Sequence, residues 1–331
     1  MFENILIFRT DRIGDLIVTC PCIITIKKYL KNSNITFIAS EKNYSYAKSL
    51  NIFDTIYEFP RKGIINKIIF LVKLRKKKFD IIFVFDGKER SIISTALIPS
   101  VCKVALTSKI KLYYKIFKIN FFKDTDDTNL NSVFQSMLNY SNVKNKIENF
   151  DFLNNKNDNG FSKNISIKDF IHIHLDEKWF SDFYIKTYTN INPRYDEFIN
   201  FLDEISKVNN ILITTGINEL NIINQLKNKF FEKISDKIFI KKNLNKLIYL
   251  IYKPSFDDIE SLLRNSKILI ACHGAITHAS NSFNVKKIDI LEEGKIKFYK
   301  RFTSYLDDYH PIFRSKFDIL KEEICQKILN F

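Results

Sequence analysis

Along the first half of the chain, short apolar runs alternate with stretches whose apolar residues recur at helical intervals. Asn4–Phe8 reads as a buried strand, and Asp15–Leu30 places Ile17, Ile24 and Tyr29 at helical spacing. A β-branched strand follows at Ile35–Ala39, then a polar helix over Glu41–Leu50 and a strand at Thr55–Phe59. An amphipathic helix over Ile64–Arg75 precedes a buried strand at Ile81–Phe85, a helix near Arg90–Leu97 and a strand at Val101–Leu106. Strands alternating with helices predict a parallel, doubly wound α/β sheet.

The pattern breaks between Asn142 and Asn164, where Asn, Lys and Asp crowd out aliphatic residues, as in Asn154-Asn155-Lys156-Asn157-Asp158-Asn159-Gly160. That composition predicts an exposed linker. Beyond it the alternation restarts with a strand at Phe170–His174, helical material from Trp179, and a strand at Asn210–Thr214. A helix over Asn218–Lys229 and a strand at Ile238–Lys241 come next. The remainder reads as helix Asp257–Arg264, strand Ile268–Ala271, a helix through His278, strand Lys287–Leu291 and a helix near Phe317–Leu329. We therefore expect an amino-terminal Rossmann-like domain over 1–150, a linker over 151–164 and a carboxyl-terminal one over 165–331. The last helix is expected to pack back on the first domain. A ligand cleft is expected between the halves, facing the carboxyl ends of both sheets.

Composition narrows the class. Hydrophobic residues make up 45% and charged ones 27% of the 331, a globular balance. Even the Ile/Phe-rich run Ile64–Leu74 is interrupted by Asn66, Lys67 and Lys73, short of the ~18–20 apolar residues a spanning helix needs. Met1-Phe2-Glu3-Asn4 lacks the basic and apolar regions of a secretory signal, so a cytoplasmic location is expected. Cys20, Cys22, Cys102, Cys272 and Cys325 form neither a disulfide framework nor a zinc spacing and are expected to be reduced and buried. The net charge of +15 points to an anionic partner. The excess of lysine over arginine, with abundant Ile, Asn and Phe, is the profile of an AT-rich genome and assigns part of that charge to drift. The basic residues read as dispersed, without an aromatic-and-basic RNA signature, so nucleic acid is not the expected partner.

The segment richest in chemistry runs from Phe8 through Arg9-Thr10-Asp11-Arg12-Ile13-Gly14-Asp15. Gly14 would let the backbone turn tightly, and Asp15 at a helix N-terminus would be held ionised by the dipole and free amides. A fixed carboxylate there can take a proton from a hydroxyl nucleophile, and it can equally be no more than a cap.

Arg12-Ile13-Gly14-Asp15, then Pro21, Ile24-Lys27-Lys28-Tyr29 and the strand Ile35–Ser40 resemble the amino-terminal signature of the heptosyltransferase family, glycosyltransferase family 9. Phe79–Gly87 with Arg90-Ser91 is similar to that family's next strand and polar turn. The resemblance implies a GT-B arrangement of two Rossmann-like domains with a central cleft, acceptor on the first and nucleotide sugar on the second. It implies an inverting transfer without metal or other cofactor, with Asp15 as base and Arg12, Gly14, Asp86 and Arg90 on the acceptor side. It places Lys178, just before Trp179, on the donor diphosphate, which suits a metal-free site that must stabilise a departing nucleoside diphosphate. The alternative for Lys178 is a surface lysine.

Thr214-Thr215-Gly216 with Glu219 offers a strand end and a carboxylate for ribose hydroxyls, or an ordinary acidic first turn. Cys272-His273-Gly274-Ala275-Ile276-Thr277-His278 offers amides and imidazoles to a phosphate. Here the chain departs from the family's Asp-Thr-Gly, two residues, His: alignment on His278 puts His273 in the aspartate position, and alignment on Gly274 displaces the histidine. A hydrogen-bonded structural His278 is the alternative.

The reading that results is a cytosolic glycosyltransferase moving heptose or a related sugar from a donor of the ADP-heptose type to a lipopolysaccharide-core or other envelope saccharide. The same fold with another nucleotide sugar acting on capsule or surface glycan stands beside it. So does a non-catalytic saccharide-binding or basic nucleic-acid-binding protein. Ile64–Arg75 with Lys76, Lys77 and Lys78 could rest on an anionic membrane, or pack its apolar side on the sheet with a solvated, dipole-complementing end.

Overall fold

The computed structural model describes residues 4–125 and 128–331, the side chains of 113 and 115 excepted. The chain divides into two compact units, one running to Phe152 with Lys300–Ser304, the other comprising Leu153–Tyr299 and Tyr305–Phe331.

The first unit alternates β1 (Asn4–Phe8), α1 (Ile13–Tyr29), β2 (Asn34–Ala39), α2 (Tyr44–Leu50), β3 (Thr55–Glu58), α3 (Ile64–Arg75), β4 (Phe79–Val84), α4 (Glu89–Leu97) and β5 (Ser100–Thr107). A short 3-10 turn, Leu112–Phe117, then leads to β6 (Asn120–Lys123) and α5 (Leu130–Tyr140), which the reading above lacks. The sheet order is β3-β2-β1-β4-β5-β6, every pair parallel. Ile5–Phe8 and Ile81–Val84 are fully buried because a central parallel strand is covered on both faces. On one face, Phe70 and Leu74 of α3, Ile92 of α4 and Tyr114 of the 3-10 turn enter a single core. The apolar residues of α3 do not all pack on the sheet: Phe70 and Leu74 are buried, while Ile64, Ile65, Ile68, Ile69 and Val72 are exposed.

The second unit contains β7 (Phe170–Leu175), α6 (Tyr195–Ile205), β8 (Ile211–Thr215), α7 (Asn221–Lys229), β9 (Glu232–Lys233), β10 (Ile238–Asn243) and β11 (Lys246–Ile251). It continues with α8 (Phe256–Leu263), β12 (Ser266–Cys272), α9 (Ala275–Ser280), β13 (Lys286–Leu291), α10 (Ile296–Thr303), β14 (Tyr309–Phe313) and α11 (Phe317–Leu329), the end of α10 belonging to the first unit. The eight strands lie in the order β14-β13-β12-β7-β8-β11-β10-β9. Departing from the all-parallel expectation, β10 runs antiparallel to β9 and β11. The two-residue hairpin behind that reversal holds Leu244 at φ 52°.

Three further expectations need correction. Residues 153–164 pack with the second unit: Lys156 ion-pairs with Asp257 and, at 2.6 Å, with Glu260, and Arg264 donates to the Leu153 and Lys156 carbonyls. The helix expected from Trp179 begins only at Tyr195, beyond Pro193, and Trp179 is a core residue whose indole donates to the His174 carbonyl at 2.9 Å. The last helix lies in the core of the second unit, where Phe317 packs on Trp179, Phe198 and Phe201. Of the cysteines expected to be buried, Cys20, Cys22 and Cys272 are, whereas Cys102 and Cys325 are half-buried. Among the described residues, no helix is long and apolar enough to cross a membrane.

Candidate functional site

In the first sheet the chain steps outward from β1 to β3 on one side and from β4 to β6 on the other, so strand order reverses between β1 and β4. Loops leaving the carboxyl ends of such a pair diverge to opposite faces and open a crevice, the usual ligand position in a doubly wound sheet. Residues 9–12 leave β1 here, and residues 85–88 leave β4. Buried Arg9 ties the two together: its Nε donates to the Asp15 carbonyl at 3.0 Å, and Nη1 donates to the Phe85 carbonyl and lies 3.3 Å from Asp11. One oxygen of Asp86 accepts from the Thr10 amide and hydroxyl and from Ser91, the other from the Lys88 amide. Lys88 reaches Asp11 at 2.6 Å and the Thr10 carbonyl at 2.7 Å, while Arg90 donates to the Thr10 hydroxyl at 2.8 Å.

This lattice floors a concavity of about 550 Å³ lined by Asp11, Arg12, Asp15, Glu58, Lys88 and Arg90 among others. Asp15 is the third residue of α1; its carboxylate accepts the Arg12 N–H at 3.2 Å, stands 3.7 Å from Arg9 and remains 40% exposed toward the concavity. Gly14 is corrected: it lies in the first turn of α1 and its φ is not positive, so no tight turn depends on it. Gly87 is the glycine this crevice requires, with φ 60° and a Cβ position 3.2 Å from the Leu106 carbonyl. Burial pushes the Asp11 carboxyl up and Asp86 and Asp15 add to the effect, against Arg9 and Lys88, which favour its charge.

In the second sheet the order reverses between β7 and β12. After β7 come Asp176-Glu177-Lys178, and after β12 come His273-Gly274. The Asp176 side chain caps the single turn Glu177–Trp179 by accepting the Lys178 N–H at 3.0 Å, and its other oxygen takes the Lys178 ammonium at 2.6 Å. A Cβ on Gly274 would stand 2.6 Å from Lys178 Nζ, and one on Gly216 2.9 Å from Asp176 Cβ. Both glycines serve close approach, since Gly274 is extended at φ 178°. Lys178, Gly216 and Gly274 are therefore packed together at the ends of three adjacent strands.

Burial alone would raise the Asp176 carboxyl, but the Lys178 ammonium and His174 hold it well below the usual carboxylate range. Burial would lower Lys178, and Asp176 instead holds it well above the usual lysine value. A hydrogen-bonded chain runs back from this pair into the sheet. His174 lies 3.4 Å from Asp176 and 2.9 Å from the Thr214 hydroxyl, which also meets His172 at 2.8 Å.

His273 Nδ1 meets the fully buried Asp289 at 2.7 Å, and Asp289 also accepts from Thr277 and Tyr309. His278 stacks edge-on to His273 at 4.9 Å, with its Nδ1 2.7 Å from the Tyr305 hydroxyl. Burial, then the neighbouring His273, push His278 well below its ordinary value, so it is neutral. Thr215 accepts the Lys253 N–H at 2.8 Å, and exposed Glu219 is bound by Lys253 at 3.0 Å and Tyr252 at 3.1 Å on the β11 side. Glu219 precedes α7 instead of standing in its first turn. Arg9 and Asp11 lie in the segment singled out from the sequence but had no role assigned there, and Lys88 and Asp289 escape a reading of motifs. Among the described residues, no cluster of three or more His, Cys, Asp or Glu is placed to hold a metal.

No protein-family model matches the chain, and no curated protein matches it in sequence. Solved structures do match. The E. coli heptosyltransferase WaaC with ADP superimposes with a TM-score of 0.69 at 11% identity, over 98% of this chain and 99% of that one. A glycosyl transferase family 9 protein from Veillonella parvula DSM 2008 gives 0.64 at 15% identity, over 98% and 89%. A UDP-GlcNAc 2-epimerase from Methanocaldococcus jannaschii gives 0.57 at 14% identity, over 99% and 92%. The chain thus has the GT-B fold of two Rossmann-like units with largely parallel sheets, shared end to end with the heptosyltransferase.

Proposed function

We propose that the chain is an inverting glycosyltransferase of the heptosyltransferase type, using a nucleoside-diphosphate sugar and a saccharide acceptor of the bacterial envelope. The observation that carries this reading is the pairing of a reactive group with each switch point, in a fold whose end-to-end likeness includes a heptosyltransferase with ADP. Asp15 is the base. Its carboxylate takes the proton of an acceptor hydroxyl; that oxygen bonds to the anomeric carbon on the face opposite the leaving group; and the bond from that carbon to the diphosphate oxygen breaks, releasing the nucleoside diphosphate with inversion. Lys178 carries ammonium hydrogens beyond the one given to Asp176 and balances the leaving charge, with His273 and the Gly274 backbone beside it. Glu219 holds the ribose and Arg90 orients the acceptor.

No resident metal enters this scheme. Calorimetry with ADP, UDP and GDP, each with and without EDTA, tests it: ADP should bind in both conditions and lose most of its affinity in Lys178→Met. Binding abolished by EDTA would overturn the metal-free site. Preference for UDP would favour the second reading, the same fold with a UDP-sugar, which the epimerase likeness keeps in view.

A further inference from the structure

Residues 61–123 hold sixteen lysines and arginines against three acidic side chains, Asp80, Asp86 and Glu89, so nearly all of the chain's net +15 resides in this one stretch. The basic residues are therefore not dispersed. The stretch includes α3, α4 and the turn Leu112–Phe117, which cover one face of the first sheet and point their inner residues into one core. Their outer sides carry exposed apolar residues among the basic ones. Ile64 and Ile65 are 77% and 72% exposed, with Ile68, Ile69 and Val72 completing a stripe along α3. Ile93 and Leu97 on α4 and Leu112 and Ile116 on the turn are exposed as well. Exposed large apolar side chains concentrated along one helix and its neighbours mark an interaction site.

We propose that this layer is a docking face for an anionic lipid bilayer, the isoleucines of α3 entering the headgroup boundary and the surrounding lysines reading its negative charge. The charge selects the occupant. A second copy would set one strongly cationic face against another, and nucleic acid offers nothing to five exposed aliphatic side chains, whereas an anionic bilayer complements both features. The arrangement also suits the reaction proposed above, on which this orientation argument rests: Phe59 and Arg61, immediately before α3, line the 550 Å³ concavity that holds Asp15. A lipid-linked saccharide rising from the bilayer would meet the concavity beside the docked helix.

Sedimentation with phosphatidylcholine vesicles, with and without phosphatidylglycerol, tests the face without nucleotide or acceptor, so its failure is distinct from failure of the glycosyltransferase reading. Wild type should bind only vesicles containing phosphatidylglycerol, and lose binding at ~1 M salt, where the screening length falls to ~3 Å. Each lysine near the surface contributes roughly fivefold, so Lys62→Gln with Lys76→Gln and Lys78→Gln should weaken binding about a hundredfold. Ile65→Ser with Ile69→Ser should weaken it at least about tenfold at unchanged charge. Both variants alter exposed positions and should melt as wild type does. Equal binding to both vesicle types, or unchanged binding in either variant, would overturn the proposal. So would a dimer in light scattering that Ile65→Ser with Ile69→Ser dissolves, or RNA binding that survives the isoleucine changes while vesicle binding is absent.

Discussion

At the first switch point Asp15 keeps 40% of its side chain exposed, while at the second Asp176 keeps 4% and Lys178 17%. Both crevices arise from the same reversal of strand order, yet one is open and floored by crossed hydrogen bonds, and the other is so tightly packed that a methyl group on Gly274 would collide with Lys178. The difference separates two ways of holding charge. In the open crevice the carboxylate proposed as base rests on a lattice made by other residues, chiefly Arg9, Thr10, Asp86 and Lys88, so replacing it with an amide leaves the bonds among those residues in place. In the closed crevice the ammonium proposed to meet the leaving group is itself the counter-charge of a buried carboxylate, so under that proposal chemistry and stability share one atom pair.

The largest expected effect exploits that separation. Asp15→Asn keeps an acceptor for the Arg12 N–H but removes the base, so sugar transfer should fall by ~10²–10⁴-fold while the melting temperature stays within the range of ordinary surface changes. Turnover like wild type would remove Asp15 from the mechanism; a large loss of stability would show that the open crevice is no more independent than the closed one. At the second switch point Lys178→Met should affect both properties. Breaking a buried pair costs ~3–5 kcal/mol, and the low end is expected because His174, 3.4 Å from Asp176, remains a hydrogen-bond partner of its carboxylate. Urea denaturation should register that loss, and Lys178→Met combined with Asp176→Asn should recover most of it without recovering nucleotide binding. Recovery of both would reduce Lys178 to a structural partner.

How much of this was legible depends on whether an interaction is local in sequence. The strand Asn4–Phe8 and the helix Ile64–Arg75 appear at the expected bounds because apolar runs and i, i+4 spacing are local signals. Helix α5 was legible and overlooked: Leu130, Val133, Phe134, Met137 and Leu138 are periodic and buried, behind an Asn129 cap that accepts the Asn131 and Ser132 amides. The packing of Lys156 with Glu260 was not legible, since it joins residues 104 apart in a polar, Asn-rich stretch that resembles any linker. For the candidate sites, Asp15 stood out as a carboxylate at a helix start just past a strand, whereas Lys178 was singled out only through the family resemblance, as the lysine just before Trp179. Their supports, Asp86 for Thr10 and Asp289 for His273, depend on which strands become neighbours. The apolar face of α3 shows the limit from the other side, because periodicity reveals a stripe and cannot say whether sheet or surroundings will cover it.

A middle-sized effect probes the packing of the closed crevice. Gly274→Ala adds a methyl 2.6 Å from Lys178 Nζ and 3.3 Å from its Cε, so the lysine end must move. Overpacking of this kind costs ~1–3 kcal/mol, toward the lower figure where the obstructing atom terminates a flexible side chain. Stability should thus fall modestly in thermal denaturation, while ADP affinity in calorimetry falls by at least about tenfold if the displaced ammonium is what holds phosphate. Unchanged affinity would mean that phosphate contacts lie elsewhere in the unit.

The smallest effect is read on the acid limb of stability, where the closed crevice should respond to substitution through Asp176. Asp176 has a folded value depressed below its unfolded one, so its contribution is complete above the ordinary carboxylate value near pH ~4 and is lost as pH falls through the folded value. Lys178 has a folded value raised above its unfolded one, so its share is complete below ~10.4 and is lost only above it. The pair therefore stabilises the whole neutral range and fails in acid. Urea midpoints followed from pH ~6 to ~2 should decline more steeply for wild type than for Asp176→Asn, by about 1–2 kcal/mol once the slope shared by all other carboxylates is subtracted. Parallel curves for wild type and Asp176→Asn would mean that the buried pair relaxes into water as it protonates, and the contrast between an open and a closed crevice would then be one of geometry without an energetic counterpart.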